Sequence, residues 1–322
     1  MDAKLKTLAE KSIALSKTTR AAVTRREFLR GAAIAVSAAG SGVNMDLAHA
    51  TEGEKISSKK GHLMDVNVWL SRWPFRRVPL DDTQALVGKL KSQGVAEAWA
   101  GTFDGMLHKD LGSANARLAL ECHQHGRGIL SPFGTVNPQL PDWQEELRRC
   151  HEVHRMRGVR LHPNYHGYKL DHPVISRLLE LAEKRRLILQ IALSMEDERM
   201  QHPLVQVPHL NVSPLVEALR DRPGLKVVLL NWFRAAKGDL IGKLAQAGHV
   251  YFEIATVEGV NGVGNLIKQI PLDRVLFGSY APFFYFESAA LKLRESVLSE
   301  RETEFIKRGN SLQMPEHRSA DL

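Results

Sequence analysis

Two cysteines, Cys122 and Cys150, are all that this chain of 322 residues contains. That scarcity excludes a disulfide-built scaffold. With no Cys-x-x-Cys motif and no Cys/His cluster, the sequence offers no thiolate zinc site. No Gly-x-Gly-x-x-Gly follows the first strand-like run, which argues against an open, doubly wound nucleotide-binding sheet. No internal repeat and no low-complexity segment is visible. The chain is basic, with a formal charge of +8 and a pI near 9.5. It shows no basic stripe interleaved with aromatics, so nucleic acid is not an expected partner. Half of that excess lies in the first fifty residues, which carry eight Lys/Arg against four Asp/Glu. The composition is otherwise ordinary for a globular protein, 43% hydrophobic and 25% charged, and supports one large core.

The first fifty residues read differently from the rest. Thr24-Arg25-Arg26-Glu27-Phe28-Leu29-Arg30 resembles a twin-arginine export signal. A weakly apolar run follows from Gly31 to Ala39, too short to span a bilayer as a permanent helix, and Ala48-His49-Ala50 supplies a small-x-small cleavage pattern. The expectation is a cleaved signal over residues 1–50, handled by the twin-arginine translocation machinery, and a periplasmic or secreted product without a stable membrane anchor. The plain alternative is a basic amphipathic helix. Residues 51–61 are polar and read as a disordered lead-in; residues 313–322 read as a flexible tail. Export would permit a disulfide between Cys122 and Cys150, although two unpaired thiols on neighbouring helices are the default reading.

From His62 on, short apolar runs alternate with longer amphipathic segments. The runs are 62–69, 96–103, 129–136, 158–161, 187–193, 226–230, 250–254 and 274–277. Each is apolar throughout rather than alternating, as strands buried on both faces of a parallel sheet require. Between them, periodicity and end signals predict helices over 84–92, 114–125, 143–154, 174–184 and 215–220. These are opened by Asp82-Thr83, Ser113, Asp142, His172-Pro173 and Ser213-Pro214. Eight strands alternating with helices predict an α/β fold, a single-domain (β/α)8 TIM barrel over residues 62–312.

In such a barrel the chemistry sits where the strands end. The first run ends on Asp65-Val66-Asn67-Val68-Trp69, and the last continues into Gly278-Ser279-Tyr280-Ala281-Pro282. These two stretches resemble the first and last barrel strands of the amidohydrolase-related superfamily of metal-dependent hydrolases and decarboxylases. Gly309-Asn310 is similar to a turn that members place before their last helix. The resemblance implies metal ligands at defined places: a His-x-His pair on the first strand, one histidine each on the fifth and sixth, and an aspartate on the last. Those positions fall here on Asn67 and Trp69, on Gln190, on Asn231 and on Tyr280. Amide oxygens are weak ligands for zinc-like ions, Trp offers no usable lone pair, and neutral Tyr is poor. The expectation is therefore no tightly bound metal cofactor, with a divalent ion such as zinc as the disfavoured alternative.

Without a metal-generated hydroxide, hydrolysis needs a base and an anion-stabilising group. Arg160 and His162 alternate onto one side of the fourth strand, so both are expected at the mouth. His162 is the candidate acid–base catalyst, with Asp65 or Asp104 to orient it or act as base. Arg160 is the candidate carboxylate clamp. Arg72, Asn164, His166, Gln190, Asn231, Asn67 and Tyr280 complete the candidate substrate-binding set. The duller readings are specific. His162 can be a strand-end hydrogen-bonder, His108 and His166 surface residues, and Gln190 and Asn231 part of an amide network that needs no ligand. Phe283-Phe284-Tyr285-Phe286 can roof the pocket or form a subunit contact, so a homo-oligomer stays open.

Three functions fit. One is an exported, metal-independent hydrolase or lyase acting on an anionic, carboxylated small molecule such as a lactone. Another is a non-catalytic binding protein or partner subunit. The third is a metal enzyme with rearranged ligands such as His162, His166 and Asp65.

Overall fold

The computed structural model describes residues 62–314; the expected export signal over 1–50, the expected lead-in over 51–61 and all but Gln313 and Met314 of the expected tail over 313–322 lie outside the described residues. Eight strands form one sheet in the order of the sequence. They are β1 (Leu63–Leu70), β2 (Val95–Thr102), β3 (Leu130–Thr135), β4 (Gly158–Leu161), β5 (Ile188–Ala192), β6 (Lys226–Leu230), β7 (His249–Glu253) and β8 (Val275–Leu276). Every neighbouring pair is parallel. The barrel closes through the chain just past β8. Val66 donates to the Phe277 carbonyl (3.0 Å), Tyr280 N to the Asn67 carbonyl (2.8 Å) and Trp69 N to the Ala281 carbonyl (2.9 Å). The strands form where the apolar runs predict, because each is buried on both faces: one set of side chains meets the helices and the other fills the barrel.

β1 breaks the simple alternation. Its register with β2 shifts between Asp65 and Val68. As a result Met64 and Val66 join the same apolar cluster as Trp69, while Leu63, Val68 and Leu70 pack with the outer cluster. An extra residue in one strand re-aims the side chains that follow it.

The helix starts differ from expectation in one case. Helix Leu111–His125 is capped by Asp110, whose side chain accepts from Ser113 N, rather than opened by Ser113. An Asp carboxylate outcompetes a hydroxyl that lies one turn inside. Gly309-Asn310 is not a turn but lies in continuous helix, where Asn310 Nδ2 donates to the carbonyls of Leu272 and Val275, both at 2.8 Å. Cys122 and Cys150 are both buried and free, and burial pushes the Cys122 thiol up to about 12. Among the described residues no helix is long and apolar enough to cross a membrane.

Candidate functional site

The strand ends bring Asn67, Trp69, Arg160, Gln190, Asn231 and Tyr280 together, each tied into the barrel by hydrogen bonds. Trp69 Nε1 donates to Asn67 Oδ1 (2.8 Å), Asn67 Nδ2 to Asn231 Oδ1 (3.0 Å) and Asn231 Nδ2 to the Ser194 carbonyl (2.8 Å). Below them Arg160 is fully buried. Its Nε donates to Gln190 Oε1 (2.8 Å), its Nη1 to the Val68 carbonyl (3.0 Å) and its Nη2 to the Trp99 carbonyl (3.2 Å). The guanidinium also lies 4.3 Å from the centre of the Trp69 ring. Gln190 Nε2 is spent on the Val66 carbonyl at 2.8 Å. Arg160 is thus committed to bracing strands rather than to holding a substrate.

Tyr280 and Asn231 both have left-handed backbone, with φ of 62° and 53°. For Tyr this ordinarily costs about 1–2 kcal/mol. The cost is offset by the Tyr280 N bond to Asn67 and by its hydroxyl, which donates to the Met195 carbonyl. Phe283 stacks on the phenol ring with centroids 5.2 Å apart.

Two carboxyls flank the set. Asp65 Oδ1 accepts from Asn67 N (3.1 Å) and Ser279 N (2.9 Å), and burial pushes its carboxyl up to about 6. Glu253, at the end of β7, accepts from Asn231 N (2.7 Å) and Ala255 N (2.6 Å), and burial pushes it up to about 7. Glu253 closes the seventh apolar run but had no candidate role by sequence; a lone acid ending an otherwise apolar strand was the available signal.

His162 is fully buried. Its Nε2 sits 3.4 Å from Thr135 Oγ1, its Nδ1 has no hydrogen-bond partner, and burial holds it well below the usual histidine range. His166 is not a surface residue. It is half-buried, its Nε2 lies 3.0 Å from the Gly105 carbonyl, and burial holds it down to about 4. The two imidazoles meet edge-on at 5.6 Å. Asp104 does not join the set, being paired with Arg117 at 3.1 Å. Arg72 is exposed on the loop after β1, and Asn164 donates to the Leu193 carbonyl at 3.3 Å.

Open space lies above the set. A cavity of about 240 Å³ is bounded by loops after β5 to β8 and by Arg76 from the loop after β1. Its floor includes Asn231 and Tyr280; Met195, Phe283 and Phe284 form apolar wall. Glu196 is buried beside it, with burial raising its carboxyl and Arg76 Nε opposing from 3.3 Å. Phe283 and Phe284 therefore roof a pocket, while Phe286 packs into the core and Tyr285 faces outward. Arg234 and Lys292 also line the cavity, and nothing at a strand end announced them.

The donor set does not suit a divalent ion. The positions that the resemblance assigns to ligands offer three amides, an indole and a phenol. Each amide oxygen already accepts a hydrogen bond from a neighbour. Among the described residues no group of three or more His, Cys, Asp or Glu could share an ion.

Residues 62–312 match the amidohydrolase family. No curated protein matches. The fold is similar to that of 5-carboxyvanillate decarboxylase from Sphingomonas paucimobilis, at 15% identity and a TM-score of 0.61, over 79% of this chain and 98% of that one. A dihydroxybenzoic acid decarboxylase from Polaromonas with bound manganese gives 15% identity and a TM-score of 0.60, over 79% and 96%. A probable 2-pyrone-4,6-dicarboxylic acid hydrolase from Acinetobacter baumannii gives 14% and 0.56, over 79% and 98%. At such identities the likeness is one of fold.

Proposed function

Because this chain belongs to the amidohydrolase family, we propose that it acts on a small carboxylated molecule in the mouth cavity, as a hydrolase or lyase that uses no divalent ion at the fold's ligand positions. The observation that carries this reading is that the amide oxygens of Asn67, Gln190 and Asn231 are all taken by hydrogen bonds within the protein, while Asn231 borders a cavity with Arg76, Arg234 and Lys292 in its wall. A cavity of roughly 150 Å³ holds benzene; 240 Å³ suits a single substituted ring or a lactone of that size.

Proton transfer in this site falls to Glu196 rather than His162. Glu196 lines the cavity, and burial raises its carboxyl above the usual carboxylate range, the direction that suits a carboxyl that gives and takes a proton. Arg76 holds its ionised form in place. His162 does not line the cavity, so its role is structural.

A second reading is a binding protein or partner subunit without turnover. It is favoured by the sealing of Asp65, Arg160 and His162, all fully buried. Export by the twin-arginine route remains part of the proposal. It rests on Arg25-Arg26 and the segments after them, and Arg25→Lys/Arg26→Lys should hold the protein in the cytoplasm.

The test is a screen of the purified protein against lactones and aromatic carboxylic acids, with elemental analysis alongside. We expect substoichiometric zinc and manganese, turnover unaffected by chelator, and loss of turnover in Glu196→Gln. Stoichiometric metal, or activity that chelation removes, sinks the metal-free reading. Binding without turnover across the screen selects the second reading.

A further inference from the structure

The charges around the mouth cavity are unequally matched. Arg76 is paired with Glu196 at 3.3 Å. Arg234 spans Asp197 at 2.9 Å and Glu258 at 3.1 Å, and Asp197 is shared with Arg199 at 2.8 Å. Lys292 differs from these. It lines the same cavity from helix Phe286–Glu295, yet its Nζ donates only to Ser288 Oγ (3.1 Å). Among the described residues no carboxylate stands within ion-pair distance of it. Glu253, Glu258 and Glu295 act on it only from farther away, and burial, the larger effect, works against its charge. A half-buried ammonium with one hydroxyl partner is incompletely solvated and gains from an arriving anion.

Resting on the cavity reading above, we propose that Lys292 is the anion anchor of the site and that the ligand carries a single negative charge on an apolar body. The carboxylate of the ligand meets Lys292, and its ring or chain lies against Met195, Phe283 and Phe284. A second carboxylate finds no equivalent partner, because Arg76 and Arg234 are already neutralised. It would instead face Glu196, Asp197 and Glu258, whose like charge repels it. The preference therefore runs toward monocarboxylates and against dicarboxylates.

The experiment is calorimetric titration of the full-length protein with benzoate, benzamide and isophthalate. The neutral and doubly charged compounds isolate the effect of charge at near-constant shape. Wild type should bind benzoate about tenfold more tightly than either of the other two. Lys292→Ala should erase that preference while leaving benzamide affinity in place, and Lys292→Arg should retain it. Isophthalate binding as tightly as benzoate, or an unchanged preference in Lys292→Ala, overturns the assignment but leaves the cavity reading standing. No binding by any of the three, benzamide included, defeats the cavity reading and the assignment with it.

Discussion

Asn67 Nδ2 donates to Asn231 Oδ1 at 3.0 Å across the mouth of the barrel, tying β1 to the end of β6 through side chains alone. The bond sits in a relay, because Asn67 Oδ1 accepts from Trp69 and Asn231 Nδ2 donates to the Ser194 carbonyl. Asn67→Ala would leave the buried Trp69 Nε1 and Asn231 Oδ1 without partners. Two orphaned polar atoms at buried residues should cost about 1–3 kcal/mol each. Chemical denaturation should register the loss, and Asn67→Asp should not repair it, since a carboxylate cannot donate to Asn231.

Asp65 and Glu253 make stability depend on pH with an unusual sign. Their folded-state values, about 6 and about 7, lie above those of free carboxyls because burial disfavours the charge. The folded protein therefore binds protons that the unfolded chain has released. The stability these carboxyls contribute is complete below about pH 4 and is lost as pH rises through 6 and 7. His162 and His166 act oppositely, being held neutral, so their contribution falls as pH drops below about 6.5. Comparing variants separates the two. Relative to wild type, Asp65→Asn should gain about 1.4 kcal/mol of stability between pH 5 and pH 8, the upper half of the linkage from a free carboxyl to one at about 6. A difference that stays flat across that range would show Asp65 to titrate normally.

Arg160 is expected to be intolerant of lysine. Its three nitrogens reach Gln190 Oε1 and the carbonyls of Val68 and Trp99, on three different strands. A lysine ammonium is a point donor on a flexible stem and cannot match that fork. Arg160→Lys should therefore lower the urea midpoint markedly, and Arg160→Ala should cost about 3–5 kcal/mol or prevent folding. Survival of Arg160→Lys at wild-type stability would return Arg160 to the ligand-binding role that strand alternation suggested.

The barrel was legible because its strands are apolar throughout, so that eight runs could be counted without knowing their partners. Asn67, Gln190, Asn231 and Tyr280 were legible as neighbours for a related reason: strand ends converge whatever residues occupy them. Arg160 was harder. Alternation placed it on the inner side of β4, but whether a guanidinium reaches up to a ligand or inward to carbonyls depends on the β1 bulge and on the Trp69 ring it packs against. Glu196, Arg234 and Lys292 were beyond reach, since they come from loops and from a helix whose placement no local pattern encodes.

His162 separates a structural histidine from a catalytic one. It is buried, edge-on to His166, 5.4 Å from the Trp69 ring centre, and outside the cavity wall. Its single polar contact is Thr135 at 3.4 Å. His162→Gln should thus leave benzoate affinity within about twofold of wild type, because a residue that does not touch the ligand influences it only through packing. The melting temperature should drop, since glutamine fills the space less well. That deficit should shrink as pH falls from 7 to 5, because only wild type must keep an imidazole neutral while the unfolded chain protonates it. A variant of normal stability that had lost turnover would reverse the conclusion and make His162 the acid–base group.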